Sequence, residues 1–403
     1  MEEKLGCTKK LDEKLKNTIF QTVDSELKNL IAIRNYLYQN PEVGGEEEKA
    51  AFILTEALSQ HGFSVEREFH GISHAFRAVF QSEKEGPVIG YLCEFDAMPE
   101  TGHSCGHNII AAVSLGAAFA VQSILKETGG SVIVYGTPGE ECLCTKVQLA
   151  DEGAFDEVDV AMMAHPNPRT EASMSTLAIE SLQIEFYGLS SHAGAAPEKG
   201  VNALDAAVFC YESIGHEKQY LRETNVYGII NEGGKKASSI PDYASLKYLL
   251  RAKDMKSLKK VNQMVKRCAE SAALLTGCTV KISNNEPSNY NLVTNQTLSA
   301  VFNKFYQDLG EETIFYVESS ASSDIGDVSH KVPVIHPWLG MNCPEYPLHS
   351  RQFADMTVTK EGDRVLRMGS LALALTACAV LTSEELLSRI KEEFHQQRFS
   401  MEE

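Results

Sequence analysis

The chain is 403 residues long, 43% hydrophobic and 23% charged, a globular composition in a length that suggests two domains rather than one core. A formal net charge of −18 argues against nucleic acid or an anionic membrane surface as a partner. The charged N-terminus, MEEKLGCTKKLDEKLKN, lacks the apolar core of a secretion signal, and ten cysteines without regular spacing suggest reduced cytoplasmic thiols rather than a disulfide framework.

Apolar residues recur at helical spacing through Leu27, Leu30, Ile31, Ile33 and Leu37, and again over residues 51–58. Between these helices, Asn40-Pro41-Glu42-Val43-Gly44-Gly45 reads as a turn. Short apolar runs at 75–80, 88–93 and 131–135 predict strands, with a helix over 109–125 before the last of them. Strands alternating with helices imply an α/β fold on a mostly parallel sheet, whose ligands bind beyond the carboxyl ends of the strands. A second unit is expected from residue 178, with strands at 182–187, 227–230, 244–250 and 279–283 and helices at 203–214 and 258–276, an α+β sandwich. Residues 284–291, rich in Asn, read as the return linker. The apolar stretch 369–381 is too short to span a bilayer and reads as a buried helix. The expected layout is a discontinuous catalytic domain, 1–177 and 292–403, with an inserted lid domain, 178–291.

Four segments carry candidate chemistry. In Gly102-His103-Ser104-Cys105-Gly106-His107-Asn108, a thiol and an imidazole flank a glycine and can turn toward one zinc-like ion. In Gly136-Thr137-Pro138-Gly139-Glu140-Glu141, adjacent carboxylates repel unless a cation or proton intervenes, which suits one metal ligand, Glu141, and one general base, Glu140. The others are Met162-Met163-Ala164-His165-Pro166 and Tyr346-Pro347-Leu348-His349-Ser350. Each is weak alone: such triplets, acidic loops and lone histidines are common without function. Their combination at strand ends is what carries weight. Asp96 suits the second nitrogen of a ligand imidazole, with a turn before Pro99 as its bland alternative. His192 could donate to a developing oxyanion, although the residues alone favour an ordinary loop histidine.

Together these segments resemble family twenty of the metallopeptidases, the group of aminoacylases, glutamate carboxypeptidases and auxin-conjugate hydrolases. The likeness is closest to its branch of β-alanyl-lysine and Xaa-Arg dipeptidases, near the p-aminobenzoyl-glutamate hydrolases. The motifs are LYQNPEVGGEE (37–47), EFDAMPETGHSCGHN (94–108), GTPGEE (136–141), MAHP (163–166), GLSSHAGAAPEKGVNALDAA (188–207), SDIGDVS (323–329) and His349. The resemblance implies a dimetal hydrolase domain with an inserted lid that forms a homodimer. It implies two divalent ions, Zn2+ or Mn2+ with Co2+ or Ni2+ possible, on Cys105, His107, Glu141, His165 and His349. It makes Glu140 the general base, Asp96 the support of a ligand, and His192 the lid histidine that completes a neighbouring subunit's site. Arg251, Ser238 and Asn231 are the expected substrate-binding residues. Two positions depart from relatives: Asn108 stands where Asp is frequent, and Ser238 where Asn is frequent.

The expected reaction is hydrolysis of the amide bond of a dipeptide or N-acyl amino acid, with a p-aminobenzoyl-glutamate or other aryl or acyl amino-acid conjugate as the alternative substrate. Two competing readings remain open from the residues. Cys105 could be a nucleophile paired with His107 or His165, or the chain could be an inactive metal-bound scaffold.

Overall fold

The structure, a computed structural model, describes residues 11–173, 176–312 and 322–402. The first ten residues, read above as part of a charged N-terminus, lie outside them. The chain forms two compact units: one of Met1–Ser175, Leu292–Ser319 and Asp327–Glu403, the other of Thr176–Asn291 and Ser320–Gly326.

In the first unit, helices α1 (Glu13–Gln39) and α2 (Glu48–Gln60) precede strands β1 (Ser64–Arg67), β2 (Phe76–Gln81) and β3 (Val88–Cys93). Helix α3 (His107–Thr128), β4 (Ser131–Gly136), α4 (Thr145–Asp151), β5 (Val160–Met162) and β6 (His165–Asn167) follow. The second unit supplies β7 (Ala178–Tyr187), α5 (Ala203–Glu217), β8 (Thr224–Glu232), β9 (Tyr243–Ala252), α6 (Met255–Thr276) and β10 (Thr279–Asn289). The chain closes with α7 (Gln296–Asp308), α8 (Ile325–Ser329), β11 (Val334–Ile335), β12 (Trp338–Gly340), α9 (Arg351–Met356), α10 (Lys360–Thr382) and α11 (Glu384–Glu402).

The first unit's main sheet has the order β1-β2-β4-β3-β5-β11. The pairs β4–β3, β3–β5 and β5–β11 are parallel, while β1–β2 and β2–β4, at one edge, are antiparallel. Both faces of its centre are covered. On β4, Val132 and Val134 enter the large core, while Tyr135 on the other face packs its ring against Phe155, 4.9 Å away. Helix α3 is apolar nearly all round because α1, α10 and the sheet enclose it.

Helix α10 begins nine residues before the apolar stretch that announced it. Both α3 and α10 are long and apolar enough to cross a membrane, and their apolar windows are 89% and 83% buried within the molecule. Core burial, not a short length, is what their apolarity serves.

The second unit is a βαββαβ sandwich, sheet order β10-β7-β9-β8 with all pairs antiparallel and α5 and α6 on one face. Leu182, Ile184 and Phe186 of β7 alternate inward, as do Leu246, Tyr248 and Leu250 of β9. Helix α6 is capped by Asp254, whose side chain accepts from Ser257 N–H at 2.7 Å. One expectation fails here. Residues 284–289 are not linker but the far half of β10, paired with β7 across two register shifts. The strand is an edge, where Pro287 and polar side chains are tolerated because one side of the ladder is unpaired.

Candidate metal centre

Strands β3 and β4 end in register, Cys93 opposite Gly136, so the loops that follow leave the sheet side by side. The β3 loop carries Glu94 and Asp96, and the β4 loop carries Glu140 and Glu141. Helix α3 opens at His107, directly after Cys105 and Gly106. Gly106 adopts φ +86, and a Cβ there would lie 2.4 Å from Pro166 Cγ, so only glycine lets this loop close on β6. Strand β6 brings His165. The loop before α9 brings His349, whose N–H donates to Ser104 O at 2.9 Å and whose φ of +66 is a left-handed conformation.

Ligand-type atoms of Cys105, His107 and His165 lie within 4.8 Å of one another. So do those of Cys105, Glu141 and His349, and those of His107, Glu140 and Glu141. Residues from separate stretches of chain thus meet in overlapping groups, with Cys105 common to two of them.

Hydrogen bonds decide which atoms face the cluster. His107 donates from Nδ1 to Asp96 Oδ1 at 2.8 Å, and His165 donates from Nδ1 to Pro166 O at 2.6 Å. With Nδ1 committed in both rings, Nε2 is the ligand atom of each: a lone pair on neutral His165, and on His107 the nitrogen that a cation would occupy in place of a second proton. His165 Nε2 lies 3.4 Å from Cys105 Sγ, and buried His107 Nε2 has no well-formed hydrogen bond among the described residues. The second oxygen of Asp96 accepts the Glu141 N–H at 3.0 Å, so one buried carboxylate orients a ring and fixes the β4 loop.

The electrostatics favour positive charge. Burial disfavours a charged His107, yet Asp96 and Cys105 outweigh it and hold its pKa well above the usual value. Burial also works against charge on Glu141, but His349, 3.3 Å away, and His107 outweigh it and hold the carboxyl below its usual range. Burial and then the neighbouring His107 push His165 down to about 4, leaving it neutral and competent as a ligand. The lone pair of neutral His165, a cation-favouring field around His107 and a donor set of sulfur, nitrogen and oxygen fit a divalent metal.

The second unit's candidates are differently placed. His192 is exposed, and its Nδ1 accepts the N–H groups of Gly194 and Ala195 at 3.2 and 3.1 Å, which puts its proton on Nε2. It forms an isolated bridge with Ser239, next to exposed Ser238, whose carbonyl accepts Ala193 N–H at 3.0 Å. Asn231 sits at a register shift near the end of β8, its amide 3.2 Å from Ser245 Oγ. Arg251 lies at the opposite end of the sheet, paired with Ile179 and Asn225. From Ser245 to Arg251 along β9 is roughly 20 Å, so this unit does not gather Arg251 with His192, Ser238 and Asn231.

The chain is similar to several known proteins. A mouse Xaa-Arg dipeptidase is 35% identical over 95% of this chain and 92% of its own. The chain belongs to the M20 peptidase family. Its residues 178–276 match the family's peptidase dimerisation domain. One of the subunits of the Escherichia coli p-aminobenzoyl-glutamate hydrolase is 28% identical over 94% of both chains. A Bacillus subtilis structure described as a dinuclear metal binding peptidase of the M20 family shares the fold at a TM-score of 0.66, with 17% identity over 88% of this chain and 99% of that one. As a member of this family, the chain is a metal-dependent hydrolase of amide or peptide bonds.

Within this M20 chain the nucleophile reading of Cys105 loses ground. Burial pushes its thiol well above the usual value, the reverse of what an activated nucleophile needs. Asn108 has a structural task, donating from Nδ2 to Thr357 Oγ1 at 2.9 Å. Three buried groups beside the cluster have no role assigned from the sequence, although Glu94 opens one of the motifs. Glu94 lies 3.4 Å from His107 Nε2 and pairs with the fully buried Lys146 at 2.8 Å. His336, whose ring nitrogens have no hydrogen bond among the described residues, packs 5.6 Å from the His165 ring. A signal for it exists: Ile335-His336-Pro337 repeats the pattern of Ala164-His165-Pro166, an apolar run closed by His-Pro.

Proposed function

We propose that this enzyme cleaves a dipeptide or N-acyl amino acid, with Cys105, His107, Glu141, His165 and His349 holding two divalent ions, Zn2+ or Mn2+, with Co2+ or Ni2+ as substitutes. The observation that carries the assignment is the pair of imidazoles whose Nδ1 atoms are held by hydrogen bonds, which leaves Nε2 of each as the ligand atom beside a thiol and a carboxylate. Bound ions would supply Lewis acidity toward the scissile carbonyl and the hydrolytic water. Glu140 takes the proton of that water and returns it to the leaving amine. Asp96 keeps His107 in its ligand tautomer throughout. His192, protonated on Nε2, donates to the developing oxyanion.

We assign catalysis to residues 1–177 and 292–403 and the lid role to 178–291. The dimerisation-domain match supports a homodimer through the lid, and the exposed Tyr227 and Ile229, two residues apart on edge strand β8, offer it an apolar face. Arg251, Ser238 and Asn231 would meet the substrate's ends. A reducing, cytoplasmic setting suits a Cys105 that must stay a free thiol to serve as a ligand.

The test is a hydrolysis screen of metal-stripped protein reloaded with Zn2+, Mn2+ or Co2+. Dipeptides ending in Arg should turn over, in line with the mouse relative's name. Preference for p-aminobenzoyl-glutamate would move the substrate toward the E. coli relative. No hydrolysis with any metal across all classes would refute the proposal.

A further inference from the structure

The turn before α2 touches both loops of the metal centre. Ala97 of the β3 loop donates its N–H to Glu42 O at 2.8 Å and bridges Val43. Gly44 packs so closely on the β4 loop that a Cβ would lie 2.9 Å from Gly139 Cα and 2.4 Å from Cys142 Sγ. Glu47 stands at this junction with no solvent exposure. It occupies the N-cap position of α2 yet makes no side-chain capping bond, because Glu42 caps the helix instead, accepting from Lys49 and Ala50 at 3.2 and 2.8 Å. Glu47 Oε2 accepts the Gly45 N–H at 2.6 Å, and the Gly139 N–H also stabilises its charge. Its Oε1 has no hydrogen bond among the described residues. A buried carboxylate is costly, and among the described residues neither capping nor an ion pair accounts for this one.

We propose that Glu47 is a positioning residue for hydrolysis: its carboxylate pins the Gly139 end of the β4 loop and so sets the place of Glu140, while Asp96 pins the same loop at Glu141. The inference rests on the reading of Glu140 as general base. Burial, and then the charge of Asp96, push the Glu47 carboxyl up to about 7, while its own N–H and those of Gly45 and Gly139 favour the ionised form. The ionisable groups facing it are Asp96 of the β3 loop and Cys142 of the β4 loop. An ionised carboxylate holds N–H donors more strongly than a neutral one, so the grip tightens as pH rises through about 7.

Glu47→Gln keeps the shape but cannot ionise. Its kcat should match wild type near pH 6 and fall roughly 10-fold behind near pH 8.5, with KM and bound metal unchanged. A ratio that does not vary with pH, or a kcat loss that tracks lost metal, would overturn the proposal. Hydrogen–deuterium exchange supplies a readout free of substrate. In Glu47→Gln near pH 8.5, amides of residues 136–144 should exchange faster than in wild type. In wild type alone, after correction for intrinsic rates, they should be better protected near pH 8.5 than near pH 6, a comparison that survives even if the variant fails to fold. Equal protection in both comparisons would reject the pinning role. A wild type that hydrolyses nothing would defeat the functional reading, while exchange would still decide whether Glu47 grips the loop.

Discussion

His107 and His192 carry the same ring in opposite electronic states. In the first unit, buried His107 donates a hydrogen bond from Nδ1 to Asp96 and turns Nε2 toward the cluster of candidate ligands. In the second, exposed His192 accepts two backbone N–H groups at Nδ1 and carries its proton on Nε2. One is built to give electron pairs, the other to give a hydrogen bond. A carboxylate makes the first and a tight turn makes the second, so the partner at one nitrogen sets the chemistry of the other. The contrast extends to their units: the first gathers buried groups that bond one another, and the second presents its candidate groups at two separate ends of a sheet.

The largest effect should come from the buried side. Glu140→Gln should cut turnover by about 10²–10⁴ while metal content, read by elemental analysis, stays at the wild-type level. Retained turnover would remove Glu140 as base and undo the idea that chemistry sits in the first unit. Next, His192→Ala should lower kcat by about 10² without touching metal content, and His192→Gln, which keeps a donor, should recover part of it. If His192→Ala changed only metal affinity, the donor tautomer would be the wrong reading. Asp96→Ala should weaken metal binding by about 10–100-fold, measured by competition with a chromogenic chelator. Unaltered affinity would show that His107 does not need its orienting partner. The smallest change belongs to Arg251→Ala. It should raise KM several-fold for substrates with a free carboxylate, at nearly constant kcat, and an equal rise for the amidated substrate would take Arg251 away from that carboxylate.

The residues proposed as metal ligands could be picked out because ligand chemistry restricts residue types. Cys105, His107, Glu141, His165 and His349 stand out in motifs, and the structure brings them together. Glu94, Lys146 and His336 were not legible as a set, since a buried ion pair and a ring packed among other rings are defined by neighbours distant in the chain. The reading of 284–291 as linker failed for a related reason. Strand pairing uses backbone groups that every residue carries, so an Asn-rich edge strand leaves little trace in side-chain pattern.

By itself the sequence determined the periodic elements, the alternation that makes an α/β domain with an inserted sandwich, and the donor types available for a metal. Those follow from local spacing and from side-chain chemistry, both written along the chain. Only the tertiary structure decided which nitrogen of each histidine is free, which carboxylates repel or brace one another, and that Glu47 meets the loop of Glu140. These depend on distances between segments far apart in sequence, where one hydrogen bond or a few ångströms of burial changes what a side chain does.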